Sequence, residues 1–224
     1  MELSYWISRW NKGNIGFHME NEYPGLEQYW DLLKMLSEPI VLVPLAGKSK
    51  DVYWISKKVG KVVAVELSKV AIKQFFEEHQ LKSNHKKFAG FDIYTSGNIE
   101  YWCGNFLKFP LRKLPDVDLI YDKGSIIALP PAMRKQFSEK LHDLSSPKTK
   151  ILMHILSYNQ LEMNGPPFSV NLEEIESLFG YYFEKKVLNR SELNLLDYKK
   201  FQLRGMKSPL FEYLLLLSRK KSIY

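Results

Sequence analysis

The stretch Ile40-Val41-Leu42-Val43-Pro44-Leu45-Ala46-Gly47-Lys48-Ser49, together with Lys61-Val62-Val63-Ala64-Val65-Glu66-Leu67-Ser68, decides how this chain is read. Two short apolar runs rich in valine, separated by a glycine-bearing turn and a helix-length gap, predict two buried strands with a helix between them. Ser49 and Ser68 stand where helices begin, since a serine hydroxyl accepts from the free N–H groups of a first turn. Glu66 closes the second strand roughly twenty residues after the turn, the spacing at which a carboxylate meets ribose hydroxyls in nucleotide-binding α/β folds. One carboxylate offers an oxygen to each of two vicinal hydroxyls. The turn carries Gly47 alone and lacks the three-glycine pattern that admits a pyrophosphate. A nucleoside ligand without phosphates suits it better than a dinucleotide, which by elimination points to S-adenosylmethionine.

The alternation of apolar runs and amphipathic stretches continues on both sides. Upstream, residues 6–17 are aromatic, with Asn11, Gly13, Asn14 and Gly16 as turn formers, and read as a loop or frayed helix that packs on something. Leu26, Tyr29, Trp30, Leu33 and Leu36 recur at helical spacing after Pro24. Downstream, Val52, Ile55 and Val59 predict one helix, and Ile72, Phe75 and Phe76 another. Residues 91–95 and 99–103 flank Ser96-Gly97-Asn98 as a hairpin or added strand. Residues 117–121, 150–156, 182–188 and 210–217 read as further strands. Met133, Phe137, Leu141 and Leu144 mark a helix after Pro130-Pro131, and Asn171 with Glu174 resembles a capping box. The polar stretch 189–208 reads as a long loop of the kind that forms lids.

With 224 residues, 45% hydrophobic and 14% aromatic, the chain suits one α/β domain with its own core. The net charge of +7 is spread over Lys57, Lys58, Lys61, Lys82, Lys86, Lys87, Arg219, Lys220 and Lys221. No basic cluster alternates with aromatics, so no nucleic-acid partner is expected. Neither a signal peptide nor a membrane span is legible. Cys103 is the single cysteine and the five histidines are scattered, so no disulfide and no metal are expected, and a cytoplasmic protein is. Cys103 reads as a buried strand residue.

Several motifs in order along the chain resemble those of bacterial thiopurine S-methyltransferases. They are Trp6-Ile7-Ser8-Arg9-Trp10 with Ile15-Gly16-Phe17-His18, the turn at residues 43–49, Val63-Ala64-Val65-Glu66-Leu67-Ser68, Asp122-Lys123-Gly124-Ser125, and Gly165-Pro166-Pro167-Phe168-Ser169-Val170 with Leu178-Phe179-Gly180. The resemblance runs from Trp6 to Gly180. It implies a Rossmann-like class I methyltransferase fold: a seven-stranded, mostly parallel sheet with helices on both faces and an antiparallel last strand. Residues 1–37 would be an aromatic lid and helix, and 38–224 the core of a single domain.

The resemblance further implies transfer of a methyl group from S-adenosylmethionine to a small-molecule thiol, selenol or tellurium species, with a detoxifying role and a monomer as the default. Trp6 and Trp10 would cover the cofactor, Leu45 and Gly47 line its methionine end, Glu66 with Leu67 hold the ribose, and Gly104-Asn105 lie along the adenine. Lys123 would serve both cofactor and acceptor; Phe17, Pro166 and Arg204 would serve the acceptor. Three positions depart from the family pattern: Ala46 for cysteine, Asn105 for aspartate and Lys123 for arginine. The last keeps the charge and loses the planar fork. No catalytic acid or base is assigned. Asp122 would orient Lys123 by an ion pair. An O- or N-methyltransferase of the same fold, and a weakened S-adenosylmethionine-binding protein, remain open at this point.

Overall fold

Valine-rich runs become strands where the sequence puts them. The computed structural model describes residues 3–33, 37–110, 116–194 and 198–220, which fall into two compact units, Met1–Tyr121 and Asp122–Tyr224.

In the first unit, β1 (Ile40–Val43) and β2 (Lys61–Glu66) run parallel, Val43 beside Ala64. On its other side β2 pairs in parallel with β5 (Ile99–Cys103), and β1 pairs in parallel with β6 (Val117–Lys123) at Leu119 and Ile120. With β3 (Asn84–Phe88) and β4 (Phe91–Ser96) at the edge, the strand order is β3-β4-β5-β2-β1-β6. Val41, Leu42, Val62, Val63, Ala64 and Val65 have no exposed surface, as continuous apolar strands covered on both faces require. Helices α3 (Lys50–Ser56) and α4 (Lys69–Glu78) lie against β2 and β5. Both serine caps form: Ser49 accepts from Asp51 N and Ser68 from Ala71 N. The helix expected to include Val59 stops at Ser56, where Asn98 Nδ2 takes the carbonyls of Ser56 and Val59, each at 2.8 Å.

The N-terminal aromatic stretch is a helix, α1 (Leu3–Asn11), that touches α4. Helix α2 (Pro24–Tyr29) tightens into a 3-10 turn at Trp30–Leu33; Leu36, expected on the same face, lies outside the described residues. The hairpin about Gly97-Asn98 forms between β4 (Phe91–Ser96) and β5. A further strand, β3 (Asn84–Phe88), pairs antiparallel with β4. It escaped the sequence reading because every one of its residues is exposed. With His85, Lys86 and Lys87 it has no alternation to detect, and lysines are what protect an edge from stray pairing.

In the second unit the strand order is β7-β9-β8. β7 (Ser145–Ser157) begins five residues before the expected strand and pairs antiparallel with β9 (Leu210–Arg219). β8 (Phe183–Leu193) also pairs antiparallel with β9, with a bulge between Val187 and Asn189. The long loop expected over 189–208 is corrected here. Asn189 to Leu193 complete β8, and Lys199–Gln202 form a helical turn, α8; residues 195–197 lie outside the described residues. Asn189, Arg190, Ser191 and Glu192 are polar because β8 is a half-exposed edge strand. Nine strands form among the described residues, β3 and β4 being additions to the seven expected.

Helix α5 (Ser125–Ala128) leads to α6 (Pro131–Asp143), which packs on α7 (Leu172–Phe179). Asn171 caps α7 through Glu174 N at 2.8 Å. The capping box is only half made, because the Glu174 carboxylate turns to Arg134 Nη1, with both oxygens at 2.7 Å. Arg134 is 1% exposed and also donates to Leu129 O and Ser169 O. Arg134→Ala leaves the Leu129 and Ser169 carbonyls without their donor and a half-buried Glu174 carboxylate without its cation, so it is expected to destabilise the protein by about 2 kcal/mol. Urea unfolding measures this; a loss below roughly 1 kcal/mol would show that the pair is not what joins α6 to α7.

Candidate functional site

The turn after β1 and the end of β2 meet through one side chain. Glu66 is 6% exposed. Its Oε2 accepts from Gly47 N at 2.8 Å and its Oε1 from Ser68 N at 2.7 Å. Burial pushes its carboxyl above the usual carboxylate range, against the hydrogen bonds from Ser68, Gly47 and Leu67. Each carboxylate oxygen has two acceptor sites. The backbone N–H groups of Gly47, Ser68 and Leu67 do not fill the four sites, so the carboxylate keeps capacity to accept from a ligand hydroxyl. The cradle fits an adenosine ribose on those grounds.

Leu45 and Gly47 both have positive φ, 45° and 55°, so the turn is tight, and Ala46 N donates to Val65 O at 3.0 Å. Above Gly47 lies Trp10, 4% exposed; a Cβ at Gly47 would stand 3.2 Å from its ring. Phe17 packs edge-on against Trp6 at 5.3 Å and Trp10 at 5.6 Å. Trp10 is therefore brought to the Glu66 turn, and Trp6 and Phe17 are brought to Trp10. Phe17 itself stays 42% exposed.

On the far side of Glu66, Gly104 N donates to Glu66 O at 2.9 Å. A Cβ at Gly104 would meet the Phe91 ring at 2.5 Å, so only glycine fits there. Asn105 Oδ1 caps the following 3-10 turn through Leu107 N at 3.0 Å. Leu67 joins this edge through its carbonyl, 3.7 Å from Cys103 Sγ. Cys103 is half-buried rather than buried, and burial pushes its thiol up to about 11. Such a thiol is inert at neutral pH.

Sequence reasoning missed Asp51, which is 1% exposed. It accepts from Tyr23 N at 2.8 Å and from Tyr121 OH at 3.0 Å, tying the segment before α2 and strand β6 to α3. Its position beside Val52 and Ile55, on a buried face, was the available signal.

In the second unit, Asp122 has no exposed surface. Its Oδ1 accepts from Ser125 N at 2.9 Å, bracing the turn at Gly124 (φ 96°), while Oδ2 has no hydrogen-bond partner among the described residues. Burial pushes its carboxyl up to about 6. Lys123 ends β6 beside it in sequence. Pro166 stands in a loop with cis bonds at Gly165-Pro166 and Pro166-Pro167. Arg204, exposed in the turn after α8, donates to Pro166 O at 3.0 Å.

Comparison with known proteins bears on the whole chain. The profile of the family described as thiopurine S-methyltransferase matches residues 1–220. A thiopurine S-methyltransferase from Nitrosospira multiformis is 35% identical over 219 residues, spanning 98% of this chain and 99% of that protein. One from Pseudomonas fluorescens strain SBW25 is 37% identical over 193 residues, 86% of this chain and 88% of that one. Among solved structures, an S-adenosylmethionine-dependent methyltransferase from Anabaena variabilis is similar with a TM-score of 0.64 at 15% identity, covering 97% of this chain and 95% of that one. A Burkholderia thailandensis 1,6-didemethyltoxoflavin-N1-methyltransferase, solved with S-adenosylhomocysteine, gives a TM-score of 0.60 at 14% identity, covering 98% and 87%. The fold is that of the class I S-adenosylmethionine-dependent methyltransferases.

The raised Asp122 carboxyl has a measurable consequence. A folded value of about 6 against an ordinary 3.8 means the folded state holds this proton more tightly than the unfolded chain. The stability this provides is complete below the unfolded value and lost as pH rises through the folded one. The shift corresponds to about 3 kcal/mol. Asp122→Asn keeps an oxygen for Ser125 N. It is expected to match the unsubstituted protein in stability below about pH 4 and to exceed it by about that amount near pH 7. Unfolding titrations across this range check it; a difference that does not change with pH would contradict the assignment.

Proposed function

Because this chain belongs to the thiopurine S-methyltransferase family and is a S-adenosylmethionine-dependent methyltransferase, we propose that its acceptor is the sulfur of a small-molecule thiol, or a selenol or tellurium species. The observation that carries this is a family match over residues 1–220, with relatives of that name aligned over nearly their full length. The donor supplies a methyl group on a sulfonium, whose departure leaves a neutral thioether.

The chain's own work is to bind, orient and exclude water. Glu66 accepts the ribose hydroxyls, held in place by Gly47 N and Ser68 N. Leu45 and Gly47 present their backbone to the methionine end, Leu67 and Gly104-Asn105 bound the adenosine, and Trp10 with Trp6 closes over the turn. Phe17 extends that aromatic cover toward the acceptor. Aromatic thiols and selenols ionise readily, so no strong base is assigned. Lys123 is the residue the family resemblance gives to the acceptor, where a cation favours the thiolate form. The single cysteine accords with a reducing cytoplasmic setting.

Assay with methyl-labelled S-adenosylmethionine is expected to put the label on the sulfur of thiophenol and not on phenol or aniline. Turnover of phenol or aniline, with every thiol and selenol inert, would replace this reading by O- or N-methylation. Lys123→Met is expected to move the rise of rate with pH upward by about one unit, since an acceptor thiol without a neighbouring cation ionises later. An unchanged pH profile would remove Lys123 from that role.

A further inference from the structure

Two segments of the second unit, residues 158–170 and 203–208, hold one another by crossed grips. From the first, Glu162 Oε2 accepts from Lys207 N and Ser208 N, both at 2.7 Å. From the second, Arg204 donates through Nη1 to Pro166 O at 3.0 Å and through Nη2 to Asn164 O. Asn159 N adds a hydrogen bond to Ser208 Oγ at 3.3 Å. A Cβ at Gly205, where φ is 107°, would lie 2.6 Å from Glu162 O, so glycine is what lets the segments close.

The first segment is stiffened from within as well. Tyr158 OH donates to Pro167 O at 2.7 Å, and Gln160 Nε2 donates to Met163 O at 2.7 Å. Gln160 Oε1 accepts from Ser169 N at 2.8 Å. The carbonyls of Asn164, Pro166 and Pro167 are thus each taken by a side chain.

We propose that Glu162 and Arg204 are positioning residues for the methyl acceptor, a strap that fixes the Pro166 wall. This rests on the reading of Pro166 as an acceptor-lining residue. A carboxylate on two backbone N–H groups makes charge-assisted bonds. A guanidinium spans two carbonyls with its planar fork, which a lysine does not reproduce. Because each segment supplies one grip and receives the other, releasing either loosens both. Arg204 acts on the acceptor through the wall it holds, and its charge is spent on backbone carbonyls rather than on the acceptor itself. A fixed wall orients a flat apolar thiol for in-line attack, and a loose one forfeits that orientation.

The test uses the full chain with Glu162→Ala and Arg204→Lys. Hydrogen exchange at the Lys207 and Ser208 amides is expected to quicken at least about ten-fold in both variants, although Arg204→Lys leaves their acceptor in place. Unchanged exchange in Arg204→Lys would refute the crossed strap. With thiophenol as acceptor, KM is expected to rise about ten-fold while the Kd for S-adenosylhomocysteine stays within about two-fold. The double variant is expected to be no worse than the poorer single one, as members of one unit behave. An unchanged KM where the amides exchange faster, or a parallel loss of S-adenosylhomocysteine binding, would overturn the positioning role. Absence of thiol turnover in the unsubstituted protein would sink the proposed acceptor instead, and the exchange measurement would still judge the strap.

Discussion

One buried carboxylate organises the turn after β1 and the end of β2. Glu66 joins the turn after β1 to the start of α4 by accepting from Gly47 N and Ser68 N. A carboxylate in that setting is desolvated, and its pKa is raised accordingly. Backbone donors offset part of the penalty, and among the described residues it bonds no cation. What remains is unused acceptor capacity at the carboxyl end of a parallel strand, where α/β folds bind their ligands. The positive φ of Gly47, the nearness of Trp10 and the glycine at 104 all keep the backbone close around this group.

The same device recurs in the second unit: charged side chains there are used on backbone and on one another to fasten segments. Arg134 joins α6 to the start of α7 through Glu174 and reaches Ser169 O. Asp122 braces the turn that ends β6. Glu162 and Arg204 cross-fasten the segments around Pro166 and Ser208. Buried or backbone-bound charges of this kind are costly to leave unpaired, so each one fixes a conformation.

Much of this was legible in the residues. Unbroken valine runs gave β1 and β2, serines at 49 and 68 gave the helix starts, and Glu66 stands at the end of β2 where the spacing put it. The edges were not legible. β3 and the end of β8 are mostly polar and exposed or half-exposed, and strands whose side chains largely face water carry no apolar period. The side-chain grips were hidden for a different reason. Glu162 and Arg204 lie 42 residues apart in a numbering that says nothing of their proximity. Arg134 offered a faint signal, a cation on the same helical face as Phe137, Ser138 and Leu141, all buried. Glu174 was read as half of a capping box because its spacing from Asn171 allows that, and the nearby guanidinium outcompeted the cap.

The central claim is that Glu66 recognises the donor by its ribose hydroxyls. Calorimetry of S-adenosylhomocysteine against its 2′-deoxy analogue, on the unsubstituted protein and on Glu66→Ala, addresses it most directly. The account predicts that the analogue binds at least about ten-fold more weakly to the unsubstituted protein, one charged hydrogen bond being worth that much. It also predicts that Glu66→Ala binds both ligands equally poorly. Equal affinity of the unsubstituted protein for the two ligands, or full affinity for S-adenosylhomocysteine in Glu66→Ala, would contradict it.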